Sequence, residues 1–174
     1  MANVLGSNSG GVLFRMTSLE TVATTATETK ITGATIAANS LNPGDALTIE
    51  GAGVVGNTST PTLTMKTYFG ATAVLTSGAI TMVNISSGPA CFIFRVTATI
   101  LTVGATGTAL FAQWMSVVQT TTSSVVPALA IATVDTTPDS IDTTAANNFA
   151  ISFQWGTSSA SNTITVAQEW VTQR

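Results

Sequence analysis

Apolar side chains recur in this chain at every second position, a period that belongs to a strand with one buried face and not to a helix. In PTLTMKTYFG, Leu63, Met65, Thr67 and Phe69 share one face, and Thr62, Thr64, Lys66 and Tyr68 the other. CFIFRVTATI sets Phe92, Phe94, Val96, Ala98 and Ile100 against Ile93, Arg95, Thr97 and Thr99. NFAISFQWG sets Phe149, Ile151, Phe153 and Trp155 against Ala150, Ser152 and Gln154. In NTITVAQEWV the same period groups Ile164, Val166 and Trp170, with the polar Gln168 in register.

A helical alternative has little to build on. Thr makes up about a fifth of the chain, and with Val and Ile it favours a pleated surface. Lys, Glu, Gln and Leu are scarce, and no segment longer than two turns keeps apolar residues at the i, i+3, i+4 spacing. Weaker runs at 11–16, 29–38, 45–55, 73–82, 108–119 and 127–134 bring the prediction to about nine or ten strands. Between them fall NPGD, GNTSTP, FGAT, SSGP, VGATG, TTPDS and GTSSASN, turns in which Gly supplies positive φ and Pro presets its own. The expected fold is all-β, an antiparallel sandwich or barrel in one domain over 12–174. The start, MANVLGSNSGGVLFRM, reads as a flexible arm over residues 1–11 that docks on a neighbouring subunit, or equally as a frayed terminus.

One turn is unusually well specified. NPGD places Pro43 at i+1 and Gly44 at i+2, the signature of a type II turn, with Leu41 before it as an apolar anchor. Asn39 and Asn42 can bond nearby backbone, and Asp45 can cap the turn's amides. The expected role is a rigid corner that holds two strands in register.

Charge narrows the function. Of 174 residues only 7% are charged, against roughly 25% in an average globular protein, while 45% are hydrophobic. A chain so short of charge is expected to cover part of its outside with neighbours. Net charge is -3, and Arg15, Lys30, Lys66, Arg95 and Arg174 are scattered, which disfavours nucleic acid as a partner. ACFIFRVTATILTVG is the longest apolar region, and Arg95 and alternating Thr make it unlike a membrane helix. The opening residues lack the basic and apolar regions of a signal peptide, so secretory export is not expected.

Candidate chemistry is sparse, and no cofactor is expected. The chain has no histidine, which removes the usual base and the commonest metal ligand. The single Cys91 is expected to be a buried, inert thiol. Eight carboxylates leave a catalytic pair open by count, but no spacing favours one. Asp135, Asp139 and Asp142 share the loop VDTTPDSIDTT; a solvated turn is the preferred reading and a hard cation such as calcium the alternative. GAGVVG has the glycines of a nucleotide loop but no following helix, so a bend in a strand is expected. Trp155 and Trp170 are assigned to core or subunit-interface packing. Trp114 is the predicted interface anchor, and Arg95 either pairs with an acid across an interface or makes an exposed cross-strand contact.

The run TIAANSLNPGD, then TPTLTMKTYFG and GATGT, resembles tailed-bacteriophage structural proteins over roughly residues 28–118. The shared elements are a corner I-x-A-N-x-L-x-x-G-D and a strand T-P-T-L-T-x-K-x-x-x-G. Ala37 departs from the pattern, where many such sequences carry Pro. The resemblance implies a jelly-roll-like sandwich, a homo-oligomer with a trimer as its common form, and a place in the virion. It implies a capsid decoration or cement protein in contact with the major capsid protein or another virion protein. The alternative is a head or tail fibre module that binds a host-surface glycan.

Overall fold

The computed structural model describes residues 11–85, 89–120 and 125–174. Apart from Gly11, the expected arm lies outside them. The described residues form strands joined by turns, with no helix among them: β1 (Gly11–Arg15), β2 (Glu20–Ala23), β3 (Thr29–Lys30), β4 (Ala34–Ile36), β5 (Ala46–Gly56), β6 (Thr62–Phe69) and β7 (Thr72–Thr76). There follow β8 (Ile80–Thr81), β9 (Ala90–Thr102), β10 (Gly107–Thr120), β11 (Val125–Val134), β12 (Asp139–Ile141), β13 (Asn147–Trp155) and β14 (Thr163–Gln173).

Two antiparallel sheets pack as a sandwich. The larger runs β1-β14-β5-β9-β10-β11, with β2 also on β14 and β12 also on β10; the smaller runs β3-β13-β6-β7, with β4 also on β13 and β8 also on β6. Thus β2-β14-β5-β9 faces β3/β4-β13-β6-β7, the wrapping order of a jelly roll, and β10, β11 and β12 widen one sheet.

Among the described residues fourteen strands replace the nine or ten expected, for local reasons. The 29–38 run divides into β3 and β4. The 73–82 run divides at Gly78 (φ +69°), where the Ser77 hydroxyl takes the place of a strand carbonyl and accepts the Met65 amide at 3.0 Å. The short strands β2 and β12 carry too few alternating residues to announce themselves.

The core is the alternation made solid. Leu63, Met65, Phe69, Phe149, Ile151, Phe153 and Trp155 from the smaller sheet meet Leu47, Ile49, Phe92, Phe94, Val96 and Phe111 from the larger, all buried. A polar bridge through this layer runs from the Thr67 hydroxyl to Gln113 Oε1 at 2.9 Å, with Gln113 Nε2 donating to the Met65 carbonyl at 3.3 Å, and the Trp155 indole N–H donates across to the Val22 carbonyl at 3.4 Å. Cys91 departs from expectation. Phe92 and Phe94 take the inner positions, so the thiol one residue earlier points out and is exposed.

The NPGD corner forms as a type II turn, with Gly44 at φ +93° and the Asp45 amide bonded to the Asn42 carbonyl at 3.1 Å. Leu41 is buried beneath it. The strands it joins do not share a register, because β4 and β5 lie in opposite sheets. The corner is anchored to a third strand and to the chain end: Gly44 N donates to Ile100 O at 2.8 Å, and Ala46 and Arg174 exchange backbone bonds. Asp45 Oδ2 accepts the Asn42 amide at 2.9 Å and Gln173 Nε2 at 3.0 Å.

The outer face of the smaller sheet is polar and internally satisfied. Glu28 accepts Lys66 Nζ at 2.6 Å, Ser152 Oγ at 2.7 Å and the Tyr68 hydroxyl, and Lys30 Nζ stands 3.7 Å from the Tyr68 ring centre. Burial pushes the Glu28 carboxyl up, but the bonds from Lys66, Tyr68 and Ser152 together hold it down at about 2. A depressed carboxyl stabilises the fold above its ordinary value of 4.5 and loses that contribution as pH falls towards 2. Glu28→Gln is therefore expected to cost about 1–2 kcal/mol at pH 7, allowing for partial exposure, and the deficit should close as pH falls. Urea melts of both proteins from pH 2 to 7 would test this, and a deficit constant across that range would refute it.

Candidate interaction face

The outer face of the larger sheet differs in kind. Across its six main strands, the described residues with charge on that side are Arg15, Glu50 and Arg95. All three fall in one line. Successive registers pair Arg15 with Trp170, Trp170 with Glu50, Glu50 with Arg95, Arg95 with Trp114 and Trp114 with Ala132. The row crosses the sheet from β1 to β11 at right angles to the strands.

Its centre is bonded. Glu50 Oε1 lies 3.3 Å from Arg95 Nε, and Glu50 Oε2 accepts the Trp170 indole N–H at 3.0 Å. Arg95 thus makes the exposed cross-strand contact. Such an exposed pair adds at most about 1 kcal/mol to a fold, so stability alone is a weak reason for it. Trp114 is 39% exposed and Trp170 37%, large apolar area for a free surface to leave in water. Around them Val54, Ile93, Val118 and Val134 are exposed as well. Both ends of the row open into shallow grooves, of about 550 Å³ beside Val12, Arg15 and Trp170 and about 490 Å³ beside Arg95, Trp114 and Val134.

Trp170 does not lie on the face where the sequence period places it. A bulge in β14 between Val166 and Gln168 inserts Ala167 and inverts the alternation. Ile164 and Val166 point inward before it; Glu169 and Val171 do so after it. Hence Gln168 and Trp170 turn outward, and a carboxyl enters the core in their place.

Glu169 is 3% exposed, and neither of its carboxyl oxygens has a hydrogen-bond partner among the described residues. Burial, with a smaller contribution from the charge of Glu20, pushes it up to about 8. Simple alternation offers no signal for this residue. The neighbouring glycines hold the trace of it: a Cβ on Gly51 would lie 2.5 Å from Gln168 O, and one on Gly53 2.0 Å from Thr165 O. GAGVVG is thus the strand that the bulged β14 presses against.

The acidic loop does not converge on one point. Asp135 Oδ2 accepts the Phe111 amide at 3.0 Å, and Asp142 Oδ1 accepts Thr144 N and Oγ1 at 2.8 and 2.6 Å. Asp139 begins β12, its carboxyl raised by burial and then by the charge of Asp135. Among the described residues, no group of three or more His, Cys, Asp or Glu side chains is placed to hold a metal ion.

The arrangement suits contact: two half-exposed indoles flank a bonded charge pair on a broad sheet face of few charges. No family model matches the chain, and neither a curated protein nor a solved structure was found to be similar to it.

Proposed function

We propose that this protein is a virion structural component, a capsid decoration (cement) protein that acts through protein–protein contacts and not as an enzyme. In this reading it is a homo-oligomer, a trimer by the resemblance, held on the capsid surface against the major capsid protein or another virion protein. The observation that carries the contact role is the outer face of the larger sheet, with charge at Arg15, Glu50 and Arg95 alone and Trp114 and Trp170 half exposed. The corner and strand motifs over 28–118 supply the virion part of the reading.

A fibre module that binds a host-surface glycan is the second reading. Exposed indoles beside the Glu50–Arg95 pair favour it, since a sugar stacks on an aromatic face and bonds to such polar groups. Antibody against the purified chain should label the heads of particles made by its source under the first reading, and fibres under the second. Purified particles that contain no copy of the chain would overturn both. Glycan-array binding lost in Trp114→Ala would favour the second.

A further inference from the structure

We infer that the outer face of the larger sheet is covered by a second copy of this chain, related by a two-fold axis parallel to the strands between β5 and β9. The inference rests on the reading of this face as a contact surface. It is independent of whether the protein belongs to a virion.

The order of the row selects the partner. Across β14, β5, β9 and β10 it reads Trp170, Glu50, Arg95, Trp114, so an aromatic and an acid on one side answer a base and an aromatic on the other. Turning a second copy over about the stated axis places its Arg95 above Glu50 and its Glu50 above Arg95. Trp170 then meets Trp114 of the second copy, and Trp114 its Trp170. The opposite choice, an axis along the row, stacks Glu50 on Glu50 and Arg95 on Arg95, which like charges disfavour. Sheets packed face to face lie within about 30° of parallel, so the centre of the row stays in register.

The area also fits. The four strands from β14 to β10, about 4.8 Å apart and about ten residues long at about 3.3 Å each, present about 630 Å², and the five residues of β1 set over β11 of the other copy add about 80 Å² at each end, about 800 Å² in all. A standard stable interface takes about 800 Å² from each partner. Apart from Glu50 and Arg95, the four central strands bring no charge to be desolvated, and Arg15 meets Ala132 of the second copy only at the rim; Ile93, Ala52, Thr97 and Thr48 surround the central pair. An isologous contact of this kind closes at two copies, so any three-fold contact uses another surface.

Light scattering on the eluting protein at about 50 µM should return the mass of two 17.7 kDa chains, or of six where the three-fold contact of the proposed function also forms. Arg95→Glu and Glu50→Arg should each elute at half the wild-type mass, because either change sets like charges face to face. An equimolar mixture of the two variants should recover the dimer, since every acid then meets a base across the axis. Circular dichroism and melting of each variant confirm the fold; if either fails to fold, Ile93→Lys on the same face should give the half-mass species instead. A monomeric or trimeric wild type, a single variant that keeps the wild-type mass, or a mixture that stays at half of it would each overturn the inference. Particle labelling is scored separately, so loss of the dimer with labelled particles rejects only the pairing, and unlabelled particles with an intact dimer reject only the virion role.

Discussion

Glu169→Gln is expected to stabilise the protein by about 2–3 kcal/mol at pH 7, and to leave it nearly unchanged below pH 4. The carboxyl lies in the core beside the bulge of β14, with no partner among the described residues, and stands at about 8 against an ordinary 4.5. An acid whose value is raised on folding costs nothing while it is protonated in both states. Its penalty begins as pH rises through 4.5, where the unfolded chain ionises, grows to about 8, and is constant beyond. The wild type should therefore lose stability across that window, and Gln, which does not ionise, should flatten the curve. For a chain of this size, the gain corresponds to a Tm higher by about 5–10 °C. Guanidinium melts at pH 4, 7 and 8.5 would show it, and parallel curves for the two proteins would mean that Glu169 is not carried into the core as a neutral acid.

That carboxyl marks the point where sequence reading stopped being reliable. The alternation in β6, β9 and β13 assigns Leu63, Phe92, Phe94, Phe149, Phe153 and Trp155 to the core, and all are buried. It also sets Arg95 on the side of β9 away from the Phe rings, where it is exposed, whereas the mixed run around Trp114 left its face open. A period of two carries no memory across an inserted residue, however, so after Ala167 every assignment in β14 inverts. Trp170 is misplaced for this reason, and the inward turn of Glu169 has no sign in the period for the same one. The error at Cys91 is different: apolar character outweighed a parity that was already correct. The row from Arg15 to Trp114 lay beyond any reading of single segments. It depends on which strands are neighbours, and turn signals do not specify sheet order. The corner shows the same limit. Its turn type was legible at Pro43 and Gly44, but that β4 and β5 part into different sheets was not.

Phe153→Ala should be the most damaging simple truncation in the core, at about 3–5 kcal/mol. The ring belongs to the smaller sheet and is fully buried against two rings of the larger, edge-on to Phe92 at 6.1 Å and to Phe94 at 6.3 Å between centres. Phe92 and Phe94 have room to lie there because β5 carries glycine opposite each of them: a Cβ on Gly53 would stand 2.7 Å from the Phe92 ring, and one on Gly51 2.4 Å from that of Phe94. Neighbouring strands cannot close the resulting void, since those glycines have no side chain to move into it. Two edge-to-face contacts, each worth about 0.5–1.5 kcal/mol beyond area, disappear with the ring. Single domains have about 5–15 kcal/mol in all, so the variant should melt about 8–15 °C lower and approach the limit of folding. Phe153→Leu, which keeps most of the volume, should lose less than half as much. Phe92 and Phe94 also fix the strand whose other side presents Ile93 and Arg95, so loosening their packing should weaken self-association at temperatures where the fold persists. Denaturant melts and light scattering on the same samples would separate the two effects. A Phe153→Ala protein as stable as Phe153→Leu would show that the sheets are not joined at this ring.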